Sequence, residues 1–412
     1  MFIADFHIHS KYSRATSKDM DIEHISEWAR RKGIALMGTG DFTHPAWLNE
    51  LKEALKEEGH GIFSHKNVFY ILTAEVNNIF FRHGRTRRVH NIIFAPSFKA
   101  ADEINSALAR FGTLHADGRP VLNLQCGEMV KRLKDIDEDV FVVPAHVWTP
   151  HFGLFGAKTG FDSIEECFGN ETRRIYALET GLSSDPAMNR RLSSLDGFCL
   201  ISNSDAHSPA KIGREANVFS EKVGYRELID ILRGKNKNKF MFTVEFFPEE
   251  GKYHWDGHRK CAARLSPRET RDLGGMCPVC GGRVTVGVLN RVEKLSDRDC
   301  AVYPEGAPSF RRLVPLAEII AETLDAGAGT LKVSREYMRL VSVFGSEFHL
   351  LLEAEENDII EKCGPGIAQA VLNVRKGNVK ISPGYDGEYG TVGIARTGET
   401  CGSSKQRSWA IG

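Results

Sequence analysis

Asp5-Phe6-His7-Ile8-His9 lies near the start of the chain, Ser204-Asp205-Ala206-His207 two hundred residues after it, and Pro144-Ala145-His146 within the stretch between them. In an extended strand residues i and i+2 share a face, so His7 with His9, and Asp205 with His207, can each grip one cation. Between them stand Asp41 (Gly38-Thr39-Gly40-Asp41-Phe42), Glu75 (Leu72-Thr73-Ala74-Glu75-Val76), His90 (Arg88-Val89-His90-Asn91-Ile92) and Glu179 (Ala177-Leu178-Glu179-Thr180). Each ends or interrupts an apolar run. In barrels of alternating strands and helices, strand C-terminal ends converge on one mouth, so these nine residues together predict a polynuclear metal centre. Imidazole mixed with carboxylate suits zinc, manganese or iron better than calcium. A lone histidine such as His90 or His146 can equally satisfy hydrogen bonds in a core, but a core has no use for ionisable groups repeated at strand ends.

Apolar runs at residues 68–74, 91–95, 141–144, 174–178 and 198–201 read as buried strands, separated by helical or polar stretches such as 21–32 and 101–111. That alternation predicts a barrel-like α/β fold. Asp19 or Asp21 precedes an amphipathic run that stops at Gly33, a matched helix start and end. A helix and a Lys/Asn-rich link are expected over 228–239, and the character of the sequence changes after Pro248.

At 412 residues and 42% hydrophobic composition the chain has room for two or three domains with full cores. Its 54 basic and 54 acidic residues balance, so net charge argues neither for nor against nucleic acid. The distribution is more informative: residues 252–294 hold nine Lys/Arg against four Asp/Glu. Such an excess is usually a solvated face, but beside a metal knuckle it favours phosphate contact. The nine cysteines form no regular framework, no apolar signal stretch precedes the first ligands, and no 18-residue apolar run occurs. The expectation is a cytoplasmic protein with reduced thiols and no membrane span.

Cys277-Pro278-Val279-Cys280-Gly281-Gly282 reads as a zinc knuckle whose two thiolates face one ion, with Gly281 allowing the tight turn. His258 and Cys261 upstream complete a tetrad, with His254 as the substitute for His258. A redox CxxC is the competing reading, but no thioredoxin-like pattern surrounds it. Residues 310–379 are helical in pattern, for example 313–324 and 335–344. Within them Gly364-Pro365-Gly366-Ile367-Ala368-Gln369-Ala370, followed by Arg375, resembles a helix-hairpin-helix turn that sets backbone N–H groups against a DNA phosphate. A Gly/Pro turn between packed helices is the alternative. The aromatic loop around Tyr385 and Tyr389 either returns to the barrel mouth or closes a turn, and the Gly/Ser/Thr-rich end past Ile394 reads as a flexible tail.

The order H-x-H, D, E, H, H, E, D-x-H resembles the polymerase and histidinol phosphatase (PHP) superfamily over residues 1–220. That resemblance implies a distorted seven-stranded barrel and metal-dependent phosphoesterase activity, often with three metals. The chain departs from the superfamily pattern at Phe42, where a histidine is usual, and at Arg14 or Ala15, in place of a further ligand; His44 is the candidate substitute. With the zinc knuckle and the Gly364 turn following in order, residues 1–390 are similar to the endonuclease Q family. Its resemblance is carried by Gly38-Thr-Gly-Asp-Phe-Thr-His-Pro45, Pro144-Ala-His-Val-Trp-Thr-Pro-His-Phe-Gly153, Tyr253-His-Trp-Asp-Gly-His-Arg-Lys-Cys261 and Pro383-Gly-Tyr-Asp-Gly-Glu-Tyr-Gly390. It implies DNA cleavage 5′ to deaminated bases or abasic sites, with a sliding clamp as a further partner whose docking motif, if terminal, finds no match past Ile394.

Four units are then expected: a PHP domain (1–245), a zinc-binding domain (246–300), a helical DNA-binding domain (301–380) and a terminal loop and tail (381–412). His7, His9, Glu75 and Asp205 are assigned to one metal and Glu75, His90 and His146 to its neighbour. Asp41, Glu179 and His207 complete the centre, in which His7, His9, Glu75, Asp205 and His207 are the catalytic set. Zinc is expected at both the catalytic and the structural site, with magnesium or manganese as activating alternatives. Arg82, Arg85, Arg87 and Arg88 are expected to clamp phosphates, as are Gly364, Gly366 and Arg375. The loop of residues 148–155, with Trp148, His151, Phe152 and Phe155, is the expected lesion pocket together with Tyr385; packing on the barrel is the bland alternative. Competing functions are a small-molecule phosphatase, which needs no zinc knuckle, and a non-catalytic DNA-binding module, which needs no ligand cluster.

Overall fold

The computed structural model describes residues 1–394, so the expected tail lies outside the described residues. The strands are β1 (Phe2–Asp5), β2 (Leu36–Gly38), β3 (Lys56–Gly59), β4 (Ile62–His65), β5 (Val68–Arg82), β6 (Arg85–Ala95), β7 (Val121–Leu122), β8 (Phe141–Pro144), β9 (Ala177–Glu179), β10 (Cys199–Ile201), β11 (Ala216–Phe219) and β12 (Phe240–Glu245). They are followed by β13 (Asp256–His258), β14 (Ala263–Leu265), β15 (Ser309–Arg312), β16 (Val379–Ser382) and β17 (Thr391–Ile394). The fold is mixed α/β. β1, β2 and β5 pair in parallel, β6 is antiparallel to both β5 and β8, and β9 is parallel to β10.

Period-two alternation shows what these strands enclose. One buried cluster takes Phe2 and Ala4 from β1, Leu36 from β2, Ile71 from β5, Ile92 and Phe94 from β6, Phe141 and Val143 from β8, Ala177 from β9 and Ile201 from β10. Their neighbours Ile3, Met37, Leu72, Ile93, Val142, Leu178 and Leu200 belong to a second cluster shared with the helices. Seven strands thus surround one interior, with helices packed outside. The circle closes through single contacts: Val147 N donates to Glu179 O (3.0 Å) and His9 N to Ala206 O (3.0 Å).

Strict strand–helix alternation does not hold. The runs expected to be separate are β5 and β6, one long hairpin with a turn at His83 and Gly84, both at positive φ. The first helix follows its sequence signals: Asp21 caps Ile22–Lys32 by accepting from His24 N (3.0 Å), and Gly33 ends it at φ 88°.

The expected helical unit begins later than residue 301, because β15 first adds a parallel strand to β12 of the main sheet. Helices Leu316–Thr323, Leu331–Phe344, Glu356–Cys363 and Pro365–Arg375 follow, and β16 pairs with β17. Their dock on the barrel is a buried ion pair, Lys32 Nζ to Glu347 Oε2 at 2.7 Å with side-chain exposures of 3% and 5%. Glu347 also accepts from Tyr337 Oη (2.8 Å) and Leu316 N (3.0 Å), and Gly33 is cradled against Ser346, where a Cβ would lie 2.5 Å from its Oγ. Removing one member of a buried pair strands the other charge. Glu347→Ala should therefore cost about 3–5 kcal/mol of stability, read as a lowered melting midpoint, whereas an unchanged midpoint would show that water reaches Lys32.

Candidate metal centre

β5 and β6 carry the heart of the site. Glu75 shares the inward face of Ile71, and His90 that of Ile92 and Phe94, so hairpin parity aims both into the barrel mouth. Both lie in mid-strand rather than at C-terminal ends, because the hairpin runs on past the mouth as a rim. Glu75 is 1% exposed and divides its oxygens. Oε2 faces His9 Nε2 (3.2 Å) and His7 Nε2 (3.6 Å); Oε1 faces His90 Nδ1 (2.6 Å) and His146 Nε2 (2.9 Å). Asp205 Oδ1 lies 3.1 Å from His9 Nε2 and 3.7 Å from His7 Nε2.

Two groups result, His7-His9-Glu75-Asp205 and Glu75-His90-His146, with the ligand atoms of each within 4.8 Å of one another. His7 Nε2, His9 Nε2 and Asp205 Oδ1 are buried without a hydrogen-bond partner, and His90 Nδ1 and His146 Nε2 face each other at 3.3 Å. Buried polar atoms left in this state are costly unless a cation joins them, and the N/O donors suit a zinc-class ion.

Asp41 and Glu179 stand one layer outside those atoms. Glu179 accepts from His146 N (2.8 Å) and Asn203 Nδ2 (2.8 Å) and meets His7 Nδ1 at 3.0 Å; Asp41 meets His9 Nδ1 at 3.0 Å and accepts from Ser10 N (2.6 Å) and the hydroxyls of Ser10 (2.7 Å) and Ser13 (2.8 Å). Carboxylates on Nδ1 fix each ring so that Nε2 points inward. His207 lies beside His9, ring centres 4.4 Å apart, with Nδ1 2.9 Å from the Asp205 carbonyl. His44, the candidate substitute, is outside the cluster, stacked on Tyr12 and bonded to His115 O. Asp41, His146 and Asp205 have φ of 48°, 29° and 47°, backbone strain at three chain reversals around the centre.

Arg119 is the residue that sequence reasoning missed. Its Nη1 donates to Glu75 Oε2 at 3.1 Å from a half-buried turn. A single arginine in a turn has no spacing signature, but Gly118 before it is forced by closeness to Asp41, 2.3 Å from an added Cβ. Burial would raise Glu75, but the charges of His90, His7 and Arg119 hold it well below the usual carboxylate range. Asp205 is likewise held down by His9 and His7 against burial. Burial pushes His90 down to about 4, only partly opposed by Glu75. In His7 and His9 the burial effect is outweighed by Glu179 and Glu75, and by Asp41 and Asp205, so both are raised. The carboxylates therefore remain ionised in an interior that demands positive charge.

The second candidate metal site holds the expected His258, Cys261, Cys277 and Cys280, with His258 Nδ1 3.5 Å from Cys280 Sγ. His254 is buried elsewhere. Gly281 takes φ 68° and donates to Cys277 O (2.9 Å), closing the knuckle. The Cys280 and Val279 backbone amides pull the Cys277 thiol down to about 7, poised to bind as thiolate. Four protein donors would leave no open position on an ion held there.

Several expected DNA contacts are committed elsewhere. Arg87 is buried, donating to Gly160 O and stacked 4.1 Å from the Phe161 ring centre. Arg375 spends its guanidinium on Ala354 O (2.7 Å) and Leu350 O (2.5 Å). Arg82 is half-buried and donates to Cys167 O (3.3 Å). Trp148 is buried, bonded to Asn189 Oδ1 (2.8 Å), and Phe155 packs on it, so neither can wedge a duplex. Phe152 is half-buried and stacked on His90, ring centres 4.5 Å apart, while its carbonyl accepts from His90 N (2.9 Å). His151 and Arg88 remain exposed, as does Arg85, one of whose guanidinium nitrogens donates to Gly160 O (3.3 Å). Tyr385 packs against Gly257 of β13 and pairs with Trp255. Gly364, at φ 78°, and Gly366 open the helix Pro365–Arg375 on an exposed groove edged by Lys332, Arg335 and Arg339.

Cys277→Ser should lower the metal content by one ion per chain and loosen the surrounding segment, because metal binding energy at such a tetrad is folding energy. Metal analysis and a melting curve indistinguishable from wild type would empty the tetrad of meaning.

Residues 315–378 match the family described as MJ0043 C-terminal domain. Protein MJ0043 of Methanocaldococcus jannaschii is 33% identical over 250 residues, 60% of this chain; the match spans only 31% of that longer protein. Protein YqxK of Bacillus subtilis is 28% identical over 410 residues, 94% of this chain and 98% of its own length. The crystal structure of the lesion-specific endonuclease PfuEndoQ from Pyrococcus furiosus superposes with a TM-score of 0.86 at 33% identity, covering 95% of both chains. A structure of Endonuclease Q with a 27-mer duplex bearing an abasic lesion at the active site matches at 0.84 and 33%, covering 96% of both. Shared along nearly its whole length, that fold and sequence make this chain a member of the endonuclease Q family of nucleases.

Proposed function

We propose that this chain is a metal-dependent DNA repair endonuclease that hydrolyses the phosphodiester on the 5′ side of deaminated bases (uracil, hypoxanthine, xanthine) and abasic sites, leaving a 3′-hydroxyl and a 5′-phosphate. The carrying observation is the cluster of buried, unpartnered His7 Nε2, His9 Nε2 and Asp205 Oδ1 around Glu75, in a relative of an endonuclease crystallised on an abasic duplex. Zinc is the ion assigned to both sites, with magnesium or manganese as activators of the first. Bound there, the ions would lower the pKa of a water and offset the charge that repels it from a phosphodiester.

The chain's own groups do the rest. Glu75 bridges the two ligand sets, Asp41 and Glu179 fix the rings, and Arg119 adds positive charge at the rim. His207 gives its Nδ1 hydrogen to the Asp205 carbonyl, which leaves Nε2 to take or return a proton. Exposed Arg85 and Arg88, the Gly364–Gly366 helix start, and Lys252 standing 5.7 Å from the ring centres of both Tyr253 and Tyr389 supply phosphate contacts and stacking faces for DNA. The damaged base would be turned out of the stack beside His151 and Phe152. No helix among the described residues is long and apolar enough to cross a membrane, and the described cysteines are unpaired. We read the setting as cytoplasmic, and a sliding clamp as a partner to be tested by co-purification.

His9→Ala and Asp205→Ala should abolish incision of a uracil-containing duplex while leaving its binding intact, since phosphate contacts lie on other elements. Wild-type incision by either variant would sink the centre, and hydrolysis of a small phosphomonoester in place of DNA would favour the phosphatase reading. Because Phe152 seats His90, Phe152→Ala should slow incision roughly ten- to hundredfold, equally on single-stranded and annealed uracil oligonucleotides at one salt concentration. A loss confined to the duplex would instead make Phe152 a wedge.

A further inference from the structure

At the end of the strands remote from the metal centre lies a cavity of about 180 Å³. Cys199 and Phe240, the first residues of β10 and β12, form part of its wall, whereas the far end of β10 leads to Asp205. Residues 304–308, on the way to β15, cover it.

Its charge is unbalanced. Arg190, Arg233 and Lys237 all line it. Arg190 is 3% exposed; its guanidinium donates to the carbonyls of Leu195 (2.7 Å) and Phe198 (3.0 Å) and pairs with no carboxylate among the described residues. Arg233 Nε is buried without a hydrogen-bond partner, and its nearest carboxylate, Asp230, is 3.9 Å away and closer to Lys235 at 2.9 Å. Lys237 makes no ion pair among the described residues. Asp196, the acid on the wall, is already held by Arg298 at 2.9 and 2.6 Å. The Cys199 thiol, pushed up to about 12 by burial, is neutral and balances nothing.

A buried guanidinium without a carboxylate, Arg190, and a buried Nε without an acceptor, on Arg233, favour an anion in the cavity, and Lys237 adds positive charge from its exposed edge. Two guanidiniums and an ammonium match the charge and oxygens of a phosphate better than those of a single carboxylate. Phe198, Phe240, Pro304 and Pro308 give the same cavity an apolar side. The volume excludes an oligonucleotide. We propose that this cavity is a second anion site, separate from the metal centre, that takes a small phosphate-bearing ligand: free phosphate or the phosphate of a mononucleotide.

Calorimetric titration of the full-length, metal-loaded protein with inorganic phosphate, and separately with deoxyuridine 5′-monophosphate, tests this. Wild type should show a saturable phosphate site. Lys237→Glu, an exposed substitution, should weaken it roughly tenfold or more with metal content, melting point and incision of a uracil duplex unchanged, and Lys237→Arg should restore it. Tighter binding of the nucleotide would assign the apolar wall to a nucleoside; equal affinity would assign the cavity to phosphate itself. Phosphate affinity identical in wild type and Lys237→Glu would mean that all binding occurs at the metal centre, and the proposal would fall. So would the absence of phosphate binding to wild type.

Discussion

One buried carboxylate organises this protein. Glu75 sits at the barrel mouth, with two imidazoles facing each of its oxygens and the Arg119 guanidinium beside it. A carboxylate stripped of water survives ionised only where positive charge surrounds it, and the surrounding groups come from four separated stretches of chain. His7 and His9 follow β1, His90 lies on β6, Arg119 precedes β7 and His146 follows β8. The barrel is the device that brings them to one point, and the hairpin β5–β6 is the element that holds Glu75 and His90 at the same height.

The same region connects the units. Arg291, on the helix Val288–Leu295 that follows the Cys/His tetrad, donates to the carbonyls of Phe155 and Phe161 (3.0 Å each) and pairs with Asp162. That loop returns through Phe152, whose ring and carbonyl both rest on His90. A continuous set of contacts thus runs from the module carrying the thiolates to a ligand of the metal centre. On the opposite side, Lys32–Glu347 ties the helical unit to the first barrel helix. Grip on nucleic acid and chemistry are therefore built into one connected body, which is what a nuclease needs if the scissile phosphate is to be positioned by contacts made some distance from it.

Strain is spent at the mouth. Asp41, His146 and Asp205 each follow a strand of the barrel and each adopts a left-handed backbone. A residue of this kind turns the chain sharply where the strand ends, so the side chain points across the mouth instead of continuing the in-and-out alternation. Asp5, buried and pushed up to about 6 by that burial, fastens the last of these turns by accepting from Ser204 N (3.1 Å) and Gly213 N (3.0 Å).

What was legible in the sequence was chemistry of short range. H-x-H, D-x-H and CxxC state their purpose because residues two or three apart share a face or a turn, and a run of apolar residues around Glu75 already implies that its charge needs compensation. Capping of the first helix by Asp21 and Gly33 is equally local. Long-range facts were not legible. Whether an arginine meets solvent or a carbonyl depends on which loop folds over it, so Arg87 and Arg375 read as phosphate contacts until Gly160, Ala354 and Leu350 were found against them. Trp148 read as part of a lesion pocket for the same reason, and Arg119 did not read at all. The sequence by itself determined which atoms could bind metal. Only the tertiary structure decided which of them converge on one point and which hold the others in place, because that distinction rests on which ring nitrogen each carboxylate meets, as Glu179 meets His7 Nδ1 from 172 residues away, a separation over which local pattern carries no information.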